Sequence, residues 1–343
     1  MRECSRKYRV RDTVLESVNQ VNPGHTNPLG ILHGGVALKW MILAATMTAM
    51  RIARGYTVLA RLDNVFFLKP VKLGDLAVLT SWVDYIGNSS LELTVALESE
   101  RSNGERSLTT VSHLTMVAVD EFLRPRRVDA CIDPHGREEE EVYSEAEKRR
   151  MSRPNRDERL EKARDTSLPA PLSPEYSLST YRIVNPEDSL AYNVMDASKL
   201  MHLMDELAAI TAMRYARGIV VTASIDATDF YVPIRVGEVL QIASALTYIG
   251  KSSLEVTVKV LKENPVTGEK AHAATSYFTL VHIDETGRSV PVEPFRGSTR
   301  RLEAFLEEAR QRRRMRMERL QFVETRLEKL VPIIGKLRRP PGV

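Results

Sequence analysis

The sequence predicts an α+β protein in which one unit is used twice, each copy wrapping an antiparallel sheet around a long central helix. Three observations lead there. Shifted by 163 positions, residues 49–95 fall on 212–258 without a gap, and 22 of the 47 positions are identical, which marks an internal duplication. Each copy contains one long Ala-, Leu- and Met-rich stretch with no internal Gly or Pro, the pattern of a buried helix. After each stretch come runs rich in β-branched residues, separated by turn signals.

The elements follow in order. Tyr8 to Val18 is expected to form a first strand, and Gly35 to Arg54 a helix of about five turns, stopped by Gly55. Tyr56 to Leu68 alternates Val58, Ala60, Leu62 and Val65 with polar positions. Leu76–Ile86, Leu91–Glu100 and Leu108–Val119 are further strands, bounded by Gly74, Gly87 and the hairpin pair Asn103-Gly104. The second copy repeats the order: a strand at Tyr176–Val184, a helix at Ala197–Arg217, and strands at Ile219–Tyr231, Val239–Ile249, Leu254–Glu263 and Ala271–Ile283. Both helices are apolar nearly all round, so one sheet cannot cover either. The other repeat is the natural cover, with the two sheets paired edge to edge.

The units are set at residues 1–130 and 176–295. Residues 131–175 form a charged, proline-containing linker, partly helical or disordered, and 296–343 a basic amphipathic helix. That helix carries an apolar stripe: Leu302, Phe305, Leu306, Ala309, Leu320, Val323, Leu327, Leu330 and Ile334. The net charge of +4 conceals a split. Residues 300–343 hold 13 Lys/Arg against 6 Asp/Glu, so the basic character belongs to the tail and not to the body. The tail is expected to dock on its own protein or on an oligomer partner, with weak membrane-surface association as a lesser role. No aromatic interleaving or motif points to nucleic acid. No run of about 18 apolar residues suggests a membrane span, and the charged N-terminus MRECSRKYRV lacks a secretory apolar core, so a cytoplasmic protein is expected. Cys4 and Cys131 make no disulfide framework or metal set and are expected to be free thiols, with a clip at the edges of the first repeat as the alternative.

The chemistry lies where the repeat breaks. The first copy has NPLGILHGG at Asn27–Gly35, where the second reads LAYNVMDAS at Leu190–Ser198. The second has LMDELAA at Leu203–Ala209, where the first reads WMILAAT at Trp40–Thr46. One copy keeps an Asn-His-Gly-Gly loop and the other a carboxylate on an apolar helix, where an unpaired charge is costly. Taken alone, Asn27 reads as a turn or cap residue and Gly34-Gly35 as a tight turn. Asp205 is harder to explain as structure. Glu206, about 100° away round the helix, reads as a structural partner. His33 reads as a hydrogen-bonding residue, and His202 and His113 as non-catalytic.

The order NxxGxxHGG, helix, [VT]xxxD, FxxP[VI]xxG[DE], GxSS[LM]E[VL] resembles the hotdog-fold acyl-CoA thioesterases, above all double-hotdog acyl-CoA hydrolases of the brain acyl-CoA hydrolase type. The likeness covers both repeats, and it implies a tandem (double) hotdog fold. It also implies an enzyme that hydrolyses fatty acyl-CoA to free fatty acid and CoA, with CoA part of the substrate and no separate cofactor or metal. Thioester hydrolysis needs an aimed water, a base and donors for the oxyanion. The resemblance assigns Asp205 as general base, or as nucleophile through an anhydride, and Asn27 to orient water or thioester. Gly34 and Gly35 are expected to offer backbone N–H groups at the helix start and to let the thioester approach closely. Leu190 and Ile42 stand at the equivalent positions, so the second half-site should be dead. CoA phosphates are expected at Arg51, Arg54, Arg214, Arg217, Lys251, Ser252 and Ser253, with His33 beside the substrate. The duplicated arginines alternatively brace helix ends. The resemblance further implies a homo-oligomer, a trimer of double-hotdog chains. The alternative function is a non-catalytic acyl-CoA-binding or sensing module of the same fold.

Overall fold

The computed structural model describes residues 4–151, 156–295 and 300–338. The first repeat contains β1 (Leu15–Gln20), α1 (Gly34–Ala53), β2 (Thr57–Leu62), β3 (Val65–Phe66), β4 (Leu76–Ile86), β5 (Ser90–Glu100) and β6 (Arg106–Ala118). Between the repeats lie α2 (Arg137–Met151) and α3 (Arg156–Arg164). The second contains β7 (Ser177–Ile183), α4 (Ala197–Ala216), β8 (Ile219–Ile225), β9 (Thr228–Asp229), β10 (Val239–Ile249), β11 (Ser253–Glu263) and β12 (Lys270–Ile283), followed by α5 (Arg300–Arg338).

Each repeat exchanges a short edge strand with the other. One six-stranded antiparallel sheet runs β9-β2-β6-β5-β4-β1 and the other β3-β8-β12-β11-β10-β7. Thr228 pairs with Leu62 at one seam, and Ile225 with Val65 at the other. The sheets are therefore joined edge to edge, and α1 and α4 pack against each other inside them. This is the tandem hotdog architecture.

The expected helices and strands are present, and the differences have local causes. Tyr8 to Val18 is not one strand, because Val10–Thr13 turns as a 3₁₀ helix before β1. Tyr56–Leu68 and Ile219–Tyr231 each break into two strands where the chain passes to the other sheet. The helices end on Arg54 and Arg217, both in the left-handed conformation at φ 50° and 56°, so these arginines and not Gly55 form the C-caps. The carbonyls at the end of α1 are braced by Arg6 on Ile52 and Arg126 on Ala53, not by the duplicated arginines.

Two sequence expectations are corrected. Cys4 and Cys131 are joined in a disulfide, which ties the N-terminal segment to Cys131–Ile132 beside the parallel pairing of Lys7–Tyr8. The α1 helix is, by length and composition, apolar enough to cross a bilayer, although 67% of that window is buried in the fold. Its apolarity is that of a central helix packed by a sheet and by its twin. The linker is helical over α2 and α3, and Arg149 of α2 reaches the buried Asp84 of β4 at 3.0 Å.

The α5 helix docks on its own chain. Arg316 is buried between Asp226 and Glu255, and Arg312 bonds Glu255 and stacks over Tyr277 at 4.5 Å. Paired acids hold the Arg316 guanidinium more firmly protonated than usual, although burial opposes this. Within the apolar stripe Ala309 and Ile334 are buried. The side chains of Leu302, Phe305, Leu327 and Leu330 lie outside the described residues, as does the unit boundary at 296.

Candidate active site

The loop before α1 is built as a tight hairpin. Thr26 and Leu32 form a bridge, Asn27 N–H donates to the Ile31 carbonyl, and Gly30 turns the chain at φ 68°. The Asn27 side chain is part of this turn, since Oδ1 accepts from the N–H groups of Leu29 and Ile31, each at 3.0 Å. Its carbonyl oxygen is thus occupied, and the Nδ2 amide is what the side chain has left to offer a ligand. Asn27 is both the turn residue and a wall of the adjacent cavity.

Asp205, in the first half of α4, has 0% exposure. Three groups hold its carboxylate. The Thr222 hydroxyl donates to Oδ1 at 2.7 Å, Gly35 N–H donates to Oδ2 at 2.6 Å, and His33 Nδ1 lies 3.1 Å from Oδ2. Gly35 and His33 come from the first repeat, Asp205 and Thr222 from the second. His33 is also the N-cap of α1, with Nδ1 at 3.3 Å from Gly35 N. Gly35 N–H has a nearer acceptor in Asp205, so Nδ1 is best read as protonated and donating to the carboxylate. The Asp205 hydrogen bond raises the His33 pKa, while burial pulls it down. A buried charge held by several donors is a satisfied one.

A cavity of about 220 Å³ opens here, lined by Asn27, His33, Gly34, Lys69, Ala209 and Thr222 among others. Asp205 lies directly behind the His33 and Thr222 wall. The structure thus gathers Asn27, His33, Gly34, Gly35 and Asp205, but changes the part the glycines play. A methyl group on Gly34 would meet Thr222 Cβ at 2.8 Å, and one on Gly35 would meet His202 Nδ1 at 2.7 Å and Asp205 Oδ2 at 3.0 Å. The glycines permit α4 and β8 to close on α1. The room a side chain would take is filled by protein, not left for a thioester. Gly35 N–H is also engaged by Asp205, which narrows the expected pair of oxyanion donors to Gly34.

None of Arg51, Arg54, Arg214, Arg217, Lys251, Ser252 and Ser253 lines this cavity. Arg51 and Arg54 sit at the far end of α1, roughly 25 Å from its start at 1.5 Å per residue, and Arg51 donates to the Asp12 carbonyl. Arg214 and Arg217 are exposed at the end of α4, and Lys251–Ser253 belong to the β10–β11 turn. The cation in the cavity lining is Lys69, which the sequence reading missed, as it missed Thr222. Thr222 has a readable signal: it is another mismatch in the repeat, facing Leu59. Glu206 is exposed, 3.7 Å from His202 Nε2, and His113 lies in the first sheet beside Thr94 and Asp84. Neither is at the cavity.

The pseudo-equivalent half-site has Leu190 for Asn27, Ile42 for Asp205, Leu59 for Thr222 and Asp196 for His33. Asp196 accepts from Ser198 N–H at 2.8 Å, so the α4 N-terminus is capped by its own acid. Among the described residues no cluster of three metal-ligating side chains occurs.

The chain resembles known proteins along both repeats. A model of the Thioesterase superfamily matches residues 29–104 and 197–269, one segment in each repeat. The chain is 30% identical over 293 residues to the human cytosolic acyl coenzyme A thioester hydrolase, covering 79% of this chain and 75% of that protein. It is 44% identical over 109 residues to an uncharacterized acyl-CoA thioester hydrolase of Bacillus subtilis, covering 32% of this chain and 63% of that one. An acyl-ACP thioesterase structure from Bacteroides thetaiotaomicron shares the fold alone, at 12% identity and TM-score 0.52, over 80% of this chain and 100% of that one. By its duplicated fold and its likeness to the human protein across both repeats, the chain belongs to the acyl-CoA thioester hydrolases of the thioesterase superfamily.

Proposed function

We propose that this protein hydrolyses fatty acyl-CoA to free fatty acid and CoA at one composite site per chain. The observation that carries the reading is the Asp205 carboxylate of the second repeat, held by Gly35 and His33 of the first directly behind the His33 and Thr222 wall of the Asn27 cavity. The thioester carbonyl oxygen would lie against the Asn27 Nδ2 amide and the Gly34 N–H, donors at the start of α1 where the helix dipole is positive. A carboxylate offers about four lone-pair sites and three donors reach this one, which leaves a place for the attacking water. Asp205 takes the water's proton as the tetrahedral intermediate forms, and CoA thiolate leaves as it collapses. His33, Thr222 and Gly35 are positioning groups. Attack by Asp205 itself, through an anhydride, remains the second route. A single turnover in ¹⁸O water that labels the Asp205 carboxylate would establish the anhydride route, because water opening the anhydride at the Asp205 carbonyl leaves its oxygen there.

CoA enters as part of the substrate, and the scheme invokes no resident cofactor. The named cationic residues other than Lys69 are assigned no phosphate contact. The protein is placed in the cytosol with the human relative whose name carries that word. Self-association, as a trimer of double-hotdog chains, is supported by exposed apolar side chains at equivalent places: Met47 and Ile210 on the two central helices, and Val18, Tyr181 and Ile183 on the edge strands β1 and β7. Light scattering of the purified chain tests this.

The functional test measures CoA release from an acyl chain-length panel by the wild type, Asp205→Ala and Asn27→Ala. Hydrolysis by the wild type and its loss in both variants is expected. A wild type that binds acyl-CoA and releases no CoA would establish the non-catalytic reading instead.

A further inference from the structure

The cavity at the degenerate half-site, about 470 Å³, is larger than the one of about 220 Å³ at the hydrolytic half-site. It shares no lining residue with the cavity at Asn27. The two are counterparts by position: Phe230 and Pro233 repeat Phe67 and Pro70, while Leu190, Ile42 and Leu59 replace Asn27, Asp205 and Thr222. The scaffold of a thioester pocket is therefore kept and its hydrolytic groups are exchanged for hydrocarbon.

The mouth is apolar too. Tyr56, Leu160, Leu190 and Tyr192 all line the cavity and are 37–46% exposed. Tyr56 and Tyr192 stack edge to face at 4.4 Å. Contiguous exposed apolar groups around a concavity mark a binding site. The charges are graded. Arg159, the cation in the lining, is half-buried on α3 and held by its bond to the Phe230 carbonyl at 2.6 Å. Asp196 is buried deeper, capping α4. An anionic head is drawn to Arg159 and repelled from Asp196, so a ligand would enter apolar end first.

We propose that this cavity binds an acyl chain and does not hydrolyse it. The cavity's existence is independent of the hydrolase reading; the choice of an acyl chain as ligand rests on that reading. The chain could arrive as free fatty acid or as acyl-CoA. Isothermal titration of the full-length Asp205→Ala chain with decanoate, and separately with decanoyl-CoA, distinguishes the sources. Two variants act on the cavity without touching the hydrolytic site: L160E/L190E places acids at the exposed mouth, and Ala60→Phe fills the wall, each checked for an unchanged melting temperature. The expected result is loss of one site per chain, or at least tenfold weaker binding at it, for whichever ligand uses the cavity. Unchanged stoichiometry and affinity for both ligands in both variants would overturn the proposal. A wild type without hydrolase activity whose decanoate site is still lost in L160E/L190E would sink the hydrolase reading and leave this one standing.

Discussion

Replacing Asp205 by Asn keeps the shape of the side chain and removes the base. The carboxylate accepts from Gly35 N–H at 2.6 Å and from the Thr222 hydroxyl at 2.7 Å. The Gly35 N–H is fixed by the helix start, so the Asn oxygen must face it and the new NH₂ must face Thr222. The threonine hydroxyl can rotate and accept. Both contacts persist as neutral hydrogen bonds, roughly half as strong as charged ones, so the fold should lose only about 1 kcal/mol. The barrier should change far more. A general base contributes about 10²–10⁴-fold, so kcat should fall roughly 10³-fold, or about 4 kcal/mol. The assay is CoA release followed with a thiol-reactive chromophore, alongside thermal unfolding to separate chemistry from stability. A variant with kcat within tenfold of wild type and an unaltered melting temperature would refute Asp205 as the base.

Thr222→Val removes one donor from the carboxylate without changing its volume much; kcat should drop about tenfold with KM little altered, the loss expected for a bond to a charged group. Gly35→Ala drives a methyl into His202 and Asp205; calorimetry should show destabilisation of about 1–3 kcal/mol, together with loss of activity. Ile42→Val trims the half-site proposed to be inactive, so CoA release should hold while stability falls by roughly 0.5–1.5 kcal/mol. Asp84 is the pH-sensitive group. Burial pushes its carboxyl up to about 7, with Arg149 opposing. The folded chain therefore keeps a proton that the unfolded chain has lost between about pH 4 and 7, so stability falls as pH rises through that window and levels off above it. Urea unfolding at several pH values should show that slope, and Asp84→Asn should flatten it.

Much of the fold was readable because its signals are local. The apolar stretch at 34–53, the strand alternation and the glycine turns each act within a few residues, and the helices and long strands fall within about two residues of expectation. The exchanged strands β3 and β9 were not readable as such. Each is two residues long, and its partner lies in the other repeat. At the site, Asn27 and Asp205 stood out because the duplication supplies its own control: each is polar where its twin is apolar. Thr222 against Leu59 carried the same signal. The cationic candidates lie away from the Asn27 cavity, because residue type and repetition say nothing about which end of a helix faces a cavity. The cysteine pair was readable only as the lesser alternative to free thiols, because with 127 residues between the two nothing local shows that they meet.

The sequence alone determined that one unit is used twice and that the copies differ at two places, the Asn27–Gly35 loop of the first and the Asp205 helix of the second. Only the tertiary structure decided which atoms meet. It set Gly35 N–H on the Asp205 carboxylate across 170 residues, made the glycines a place of helix contact, and left the larger of the two half-site cavities on the apolar side. Propensity and turn chemistry act along the chain, whereas these contacts depend on how two helices cross, and that is settled by the packing of both sheets together.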